Sequence, residues 1–195
     1  MKIIGLTGGI GMGKSTASAA FRRAFIPIFD ADATVHLLQG PGGKALKPIE
    51  AAFPGTVKDN VLDRAALRAA VLGKPDALKR LEGIVHPMVR HEELAAVARA
   101  RRAGKPAVVL DIPLLFETGG RKHIDFIVVV SAPRAVQIHR VGLRKRMDRA
   151  QVEAVIARQT PDRDKRRRAD LVVNTGLSRF HALRTLRRFM QTLRP

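Results

Sequence analysis

Nine residues near the start of the chain restrict its fold more than any other feature. Gly8-Gly9-Ile10-Gly11-Met12-Gly13-Lys14-Ser15-Thr16 fits the spacing G-x-x-x-x-G-K-[ST]. Ahead of it, Ile3, Ile4 and Leu6 make a short apolar run suited to a buried strand. Behind it, Ala17, Ala20, Phe21, Ala24 and Phe25 recur at helical spacing. Strand, glycine loop and helix in that order let backbone N–H groups converge on phosphate oxygens, with the positive end of the helix dipole behind them. The pattern predicts a nucleoside triphosphate site. Gly8, Gly9, Gly11, Met12, Gly13 and Thr16 belong to the cradle, the Lys14 ammonium bridges the β- and γ-phosphates, and the Ser15 hydroxyl ligates Mg2+.

Further apolar runs without polar alternation occur at Ile26–Phe29, Ala107–Leu110, Phe126–Val130 and Leu171–Val173. Such runs suit strands covered on both faces, as in a parallel α/β sheet. Between residues 33 and 104 no strand-like run appears, and helical segments take its place. One opens at Asp63; another opens after His86-Pro87, with Pro87 near its first turn, and ends at Gly104. The tail from Ser178 puts Phe180, Leu183, Leu186, Met190 and Leu193 on one helical face.

The composition narrows the partners. With 36 Lys and Arg against 17 Asp and Glu, the 195-residue chain carries a formal charge of +19, which favours anionic ligands. Trp and Tyr are absent, leaving few surfaces on which the bases of a single-stranded nucleic acid could stack. Cysteine is absent too, so disulfides and thiolate metal sites are excluded. No apolar stretch approaches the roughly 20 residues of a membrane span, and Met1–Leu6 cannot form a signal-peptide core. A soluble, cytoplasmic chain is the expectation.

Several acids stand where phosphoryl-transfer chemistry needs them. Asp30-Ala31-Asp32 follows the second run, at the strand edge where ligands bind in open α/β sheets. Either aspartate can cap the helix that follows, and either can orient an acceptor hydroxyl and take its proton. Asp111 closes the third run, a position suited to the Mg2+ shell or to a helix cap. Residues 134–168 hold ten arginines and two lysines against four acids. Most of the stretch, including Gln137, Arg140, Arg144, Arg146, Arg158, Lys165 and Arg166 to Arg168, is expected on a solvated face, with one or two cations closing over the triphosphate.

With these residues in place the sequence resembles the dephospho-CoA kinases. The matching residues are Ile4-Gly5-Leu6-Thr7-Gly8-Gly9-Ile10-Gly11, Gly13-Lys14-Ser15-Thr16, Asp30-Ala31-Asp32, Leu62-Asp63-Arg64 with Leu67-Arg68, and His86-Pro87 with Arg90. Further on they are Pro113-Leu114-Leu115-Phe116-Glu117, Gln137 with Arg140 and Arg144, Gln159, and Lys165 with Ala169-Asp170 and Asn174. The resemblance implies a P-loop kinase fold: a five-stranded parallel sheet of order 2-3-1-4-5 wrapped by helices. Residues 1–32 and 105–195 would form the nucleotide-binding core, with a lid at about 140–165, and residues 33–104 a helical insertion that binds the acceptor. It further implies Asp32 as proton acceptor, Lys14 and Arg140 as phosphate clamp, and Asp32, Arg68, His86, Arg90 and Leu114 as acceptor-binding residues. Ser15 and Asp111 would attend the metal. The implied partners are ATP with Mg2+ and dephospho-CoA, with no membrane and no specific nucleic acid. Another small-metabolite or nucleoside monophosphate kinase is the alternative on the same core, and a P-loop module that binds nucleic acid is the alternative of a different class. Two departures stand out: Met12 occupies a position where the family usually has serine, and Arg144-Lys145-Arg146-Met147-Asp148 replaces its arginine, acid, glycine run.

Overall fold

The structure, a computed structural model, describes residues 1–117, 123–145 and 147–193. Its strands are β1 (Lys2–Thr7), β2 (Ile28–Asp30), β3 (Val57–Lys58), β4 (Val61–Leu62), β5 (Ala107–Asp111), β6 (Phe126–Ser131) and β7 (Leu171–Asn174). The helices are α1 (Lys14–Arg23), α2 (Ala31–Leu38), α3 (Leu46–Ala52), α4 (Arg64–Val71), α5 (Pro75–Arg102), α6 (Arg134–Lys145), α7 (Arg149–Ala157), α8 (Asp162–Arg167) and α9 (Arg179–Gln191). The chain forms two compact units, Met1–Phe29 with Val97–Pro195, and Asp30–Ala96.

The main sheet has the order β2-β5-β1-β6-β7, which is the expected 2-3-1-4-5 once β3 and β4 are set aside. β1 pairs in parallel with β5 and β6, and β6 with β7. The apolar runs of the sequence are these strands. β6 shows why they lack alternation: Val128 and Val130 pack into a cluster with Leu6, Phe21 and Leu186, while Ile127 and Val129 pack with Leu115 and Phe116 on the other face. The register sets Asp111, the last residue of β5, beside Leu6 of β1. Two strand ends therefore bring that carboxylate next to the root of the glycine loop.

α9 is held by Ser178, whose hydroxyl accepts the His181 N–H at its amino end. Leu186 and Leu193 are buried, but Phe180 is 74% exposed and Ala182 takes the inner place. At about 100° per residue Phe180 stands about a third of a turn from the buried stripe, so it was wrongly grouped with it.

The second unit is helical around Leu38, Leu46, Ile49, Phe53, Leu67 and Val85. Asp63 caps α4 by accepting the N–H groups of Ala65 and Ala66, as its position promised. The helix expected to open at Pro87 opens instead at Pro75 and runs through Pro87 to Arg102. Proline needs no N–H partner in a first turn, and both prolines fit that rule equally well from sequence. Pro87's ring meets the carbonyl of the residue four before it, here Gly83, which has no side chain to crowd that turn. The stretch without strands also holds a small antiparallel hairpin, β3 with β4, turned by Asp59 and Asn60 at φ 49° and 60°. Asp and Asn tolerate that left-handed backbone better than other non-glycine residues. Two-residue strands are too short to show in hydrophobic periodicity.

Candidate active site

The glycine loop leaves β1 after Thr7 and enters α1 at Lys14. Met12 N–H donates to the Gly9 carbonyl at 3.1 Å, with Ile10 and Gly11 at the corners of the turn and Gly11 at φ 74°. That positive φ belongs to the third residue of a type II turn and favours glycine. Space requires it as well, since a Cβ on Gly11 would lie 2.7 Å from Val141 and 3.0 Å from the Gln137 carbonyl, both on α6. Gly13, at φ 88°, precedes α1 without any side-chain cap, and no acid sits in the helix's first turn. The Thr16 N–H reaches the Gly13 carbonyl at 3.0 Å, while those of Lys14 and Ser15 have no backbone or side-chain partner among the described residues, the condition under which a helix start holds an anion.

Three successive loop carbonyls are tied to side chains from later in the chain. Ile10 O accepts from Gln137 Nε2 at 2.8 Å, Gly11 O from Arg140 Nη1 at 3.4 Å, and Met12 O from Thr175 Oγ1 at 2.7 Å. Because the C=O and N–H of a trans peptide point in opposite directions, these bonds send the N–H groups of Gly11, Met12 and Gly13 the other way. Met12's side chain turns into the core, 3% exposed, with its sulfur 3.0 Å from the Ala132 N–H. A methionine at this place thus leaves the cradle backbone unobstructed.

Lys14 Nζ lies 2.5 Å from Asp111 Oδ1, and Ser18 Oγ donates to Asp111 Oδ2 at 2.6 Å. Asp111 is 3% exposed, so its charge is balanced inside the site by the ammonium the motif supplies. Ser18, one turn into α1 and on its inner face, is a partner that sequence reading missed. A hydroxyl three residues after the motif's Ser15 was the only trace of it. Ser15 itself is exposed. Arg140 also donates to Thr175, from Nη1 to Oγ1 at 3.1 Å and from Nη2 to the carbonyl at 2.8 Å. Thr175, likewise missed, ties β7 to the loop from a position that carries no motif of its own. Arg140, Thr175, Gly11, Gly13, Thr16 and Arg179 border a cavity of about 170 Å3.

The basic stretch is not uniformly solvated. Lys165 is 1% exposed and pairs with Glu117 at 3.0 Å, Gln137 is 3% exposed, and the Arg168 guanidinium lies 4.3 Å from the centre of the Phe116 ring. Those partners come from the Pro113–Glu117 segment and from the loop, too distant in sequence for local charge density to reveal. Burial pushes the Glu117 carboxyl up, but the Thr160 N–H at 3.0 Å and the Lys165 ammonium outweigh it and bring it down to about 2. Arg144 and Lys145 close α6, and Arg146 lies outside the described residues.

In the second unit the two aspartates separate. Asp30 caps α2, its side chain accepting the Ala33 N–H at 2.9 Å. Asp32, in the first turn of α2, is exposed and has no hydrogen bond or ion pair among the described residues. His86 and Arg90 stand four residues apart on α5, so they share a face. Arg90 pairs with Glu93, while Arg68 on α4 and His86 are exposed. Leu114 is 44% exposed in the turn after β5, where the Pro113 carbonyl accepts the Thr7 hydroxyl at 2.9 Å.

Comparisons with known proteins agree with this geometry. Residues 2–178 match the profile of the family described as CoaE, dephospho-CoA kinase. The chain is 50% identical over 198 residues to the dephospho-CoA kinase of Gluconobacter oxydans (strain 621H), covering 100% of this chain and 98% of that one. It is 57% identical over 166 residues to the dephospho-CoA kinase of Paramagnetospirillum magneticum (strain ATCC 700264 / AMB-1), covering 85% and 78%. Among solved structures, TT1252 from Thermus thermophilus superposes with a TM-score of 0.86 at 34% identity, covering 100% and 98% of the two chains. The dephospho-CoA kinase from Campylobacter jejuni, at 21% identity, shares the fold with a TM-score of 0.67 over 98% and 97%. The chain belongs to the dephospho-CoA kinase family.

Proposed function

We propose that this kinase transfers the terminal phosphoryl group of ATP to the ribose 3′-hydroxyl of dephospho-CoA, giving coenzyme A and ADP in the last step of coenzyme A synthesis. The observation that carries this reading is the loop between β1 and α1, with its outward-tied carbonyls and the Lys14–Asp111 pair at its base, in a chain of this family. A cytoplasmic reaction is part of the proposal, since ATP is supplied there. No helix of the described residues is long and apolar enough to cross a membrane.

The loop N–H groups and the start of α1 bind the β- and γ-phosphates. As they arrive, the Lys14 ammonium, with three donors, is proposed to turn one to phosphate while keeping its charge beside the buried Asp111 carboxylate. Ser15 and Asp111 are hard oxygen donors, the chemistry Mg2+ accepts alongside substrate phosphates and water. When bound, Mg2+ neutralises charge on the β- and γ-phosphates. Arg140 is proposed as the cation that joins Lys14 on the phosphates. Here its guanidinium donates to the Gly11 and Thr175 carbonyls, on the face of the loop opposite the Gly11, Met12 and Gly13 N–H groups, so the role requires that it release them and turn to phosphate.

Asp32 is proposed as the general base. Its free, exposed carboxylate supports the role, because Asp30 already supplies the helix cap. It takes the proton of the 3′-hydroxyl as that oxygen bonds to the γ-phosphorus, and the bond from that phosphorus to the β–γ bridging oxygen breaks to release ADP. Arg68, His86, Arg90 and Leu114 are proposed to hold the acceptor, the helical unit being its binding domain and residues 140–165 the lid. An ADP-release assay over dephospho-CoA, AMP, dTMP and shikimate tests the reading. Dephospho-CoA is expected to be far the fastest acceptor, and faster turnover of any other would transfer the assignment to that compound.

A further inference from the structure

The backbone of Ile10, at the apex of the loop, is held on both sides by glutamine amides. Its N–H donates to Gln159 Oε1 at 3.0 Å, and its carbonyl accepts from Gln137 Nε2 at 2.8 Å. Both head groups also lie over Gly9, where a Cβ would stand 3.2 Å from Gln137 Nε2 and 3.2 Å from Gln159 Oε1. The absence of a side chain at Gly9 is what admits the two amides. Gln137 is on α6 and 3% exposed, and Gln159 follows the end of α7, so both lie in the segment after β6.

The polarity of the two bonds matters more than their number. The peptide joining Ile10 to Gly11 is the central one of the Gly9–Met12 turn, and turning it over interconverts type I and type II turns. The Gln137 donor fixes the Ile10 carbonyl on the α6 side and so fixes the Gly11 N–H on the opposite one. The Gln159 acceptor does the same for the peptide before it, whose Gly9 carbonyl is then free to accept from Met12.

We infer that Gln137 and Gln159 are positioning residues for phosphoryl transfer: an amide donor and an amide acceptor that hold the loop apex in the orientation that aims the Gly11 N–H at phosphate. The inference rests on the ATP site proposed above. Its consequence is an asymmetry that charge alone cannot produce. A glutamate at 159 still accepts the Ile10 N–H, whereas a glutamate at 137 opposes the Ile10 carbonyl with a second acceptor and drives the peptide over. Both changes add the same charge beside the same residue, Ile10.

Steady-state kinetics of Gln137→Glu and Gln159→Glu, with ATP and dephospho-CoA varied separately, test this. Gln159→Glu is expected to lose no more than about fivefold in kcat/KM for ATP, and Gln137→Glu at least about fiftyfold, with the KM for dephospho-CoA changed less than about threefold in both. Gln137→Met, which removes the donor without adding charge, is expected to fall between them and to melt like the parent chain, keeping the test open if the glutamate at 137 folds poorly. Equal losses in the two glutamate variants, or parent-like kinetics in Gln137→Met, would overturn the inference. Lys14→Ala run alongside separates the two failures. If it is inactive while the Gln137 variants are normal, the ATP site stands and the clamp falls; if it too is normal, the ATP site falls and the clamp with it.

Discussion

The loop at residues 8–16 and the acceptor-side residues of the second unit are held in place by different means. Among the described residues, the side chains that hydrogen-bond or ion-pair to the loop come from far along the chain: Asp111, Gln137, Arg140, Gln159 and Thr175. In the second unit Arg90 pairs within one helical turn, Asp32 has no partner among the described residues, and Arg68 and His86 are exposed. A site assembled from buried long-range contacts is already organised before substrate arrives, which is what stabilising a transition state requires. Exposed side chains on helix faces must be ordered by the ligand they bind. Substitutions at the loop should therefore appear in kcat, and those on α4 and α5 in the KM for the acceptor, with Asp32 as the exception because its proposed role is chemical.

The largest effect should come from Lys14→Ala, with turnover reduced about a thousandfold. Removing the ammonium leaves the buried Asp111 carboxylate without its cation, so the thermal midpoint should fall as well, and turnover is compared well below it. Near-normal turnover would break the comparison at its stronger side. Next is Asp32→Asn, expected to cost about a hundredfold in kcat while ATP still binds, since the amide cannot take a proton. Stability should be unchanged because Asp30 makes the cap; a fully active variant would remove Asp32 as the base. Arg90→Ala sharpens the contrast: the KM for dephospho-CoA should rise about tenfold with kcat nearly constant. Glu93 is 8% exposed, so loss of this cation should also lower the thermal midpoint, and the kinetics are compared below it. A fall in kcat of the same size would mean that the second unit is as preorganised as the first.

The smallest effect belongs to the Glu117–Lys165 pair. Glu117 is brought down to about 2 from an ordinary 4.5. Its bonds to the Thr160 N–H and to buried Lys165 therefore contribute stability that is complete above about pH 4.5 and is lost as pH falls toward 2. Urea unfolding of Glu117→Gln should show a deficit at pH 7 that shrinks steadily below pH 4.5. A deficit that stayed constant to pH 3 would assign the effect to packing.

Local patterns in the sequence were enough to place the loop, all five strands of the main sheet and the Asp63 cap. Each of those signals is complete within a few residues. What escaped was set by distance or by competing local rules. Pro75 and Pro87 both suit a helix start, and only the surrounding packing shows that the second is interior. Lys165 sits in a run of cations that reads as solvated, yet Glu117 draws it inside. Ser18 and Thr175 are ordinary helix and strand-end residues until β5 and the loop arrive beside them. The acceptor residues have no comparable signature of their own and were reached through the family resemblance.

The most direct measurement is the position of the new phosphate. The enzyme incubated with ATP, Mg2+ and dephospho-CoA should yield, beside ADP, a single acceptor-derived product, one phosphate heavier than the acceptor. In 31P NMR that product should show one new phosphomonoester, coupled to the ribose 3′ proton. No phosphorylated product, or a phosphate at the 2′ position or elsewhere on the acceptor, would contradict the proposed reaction.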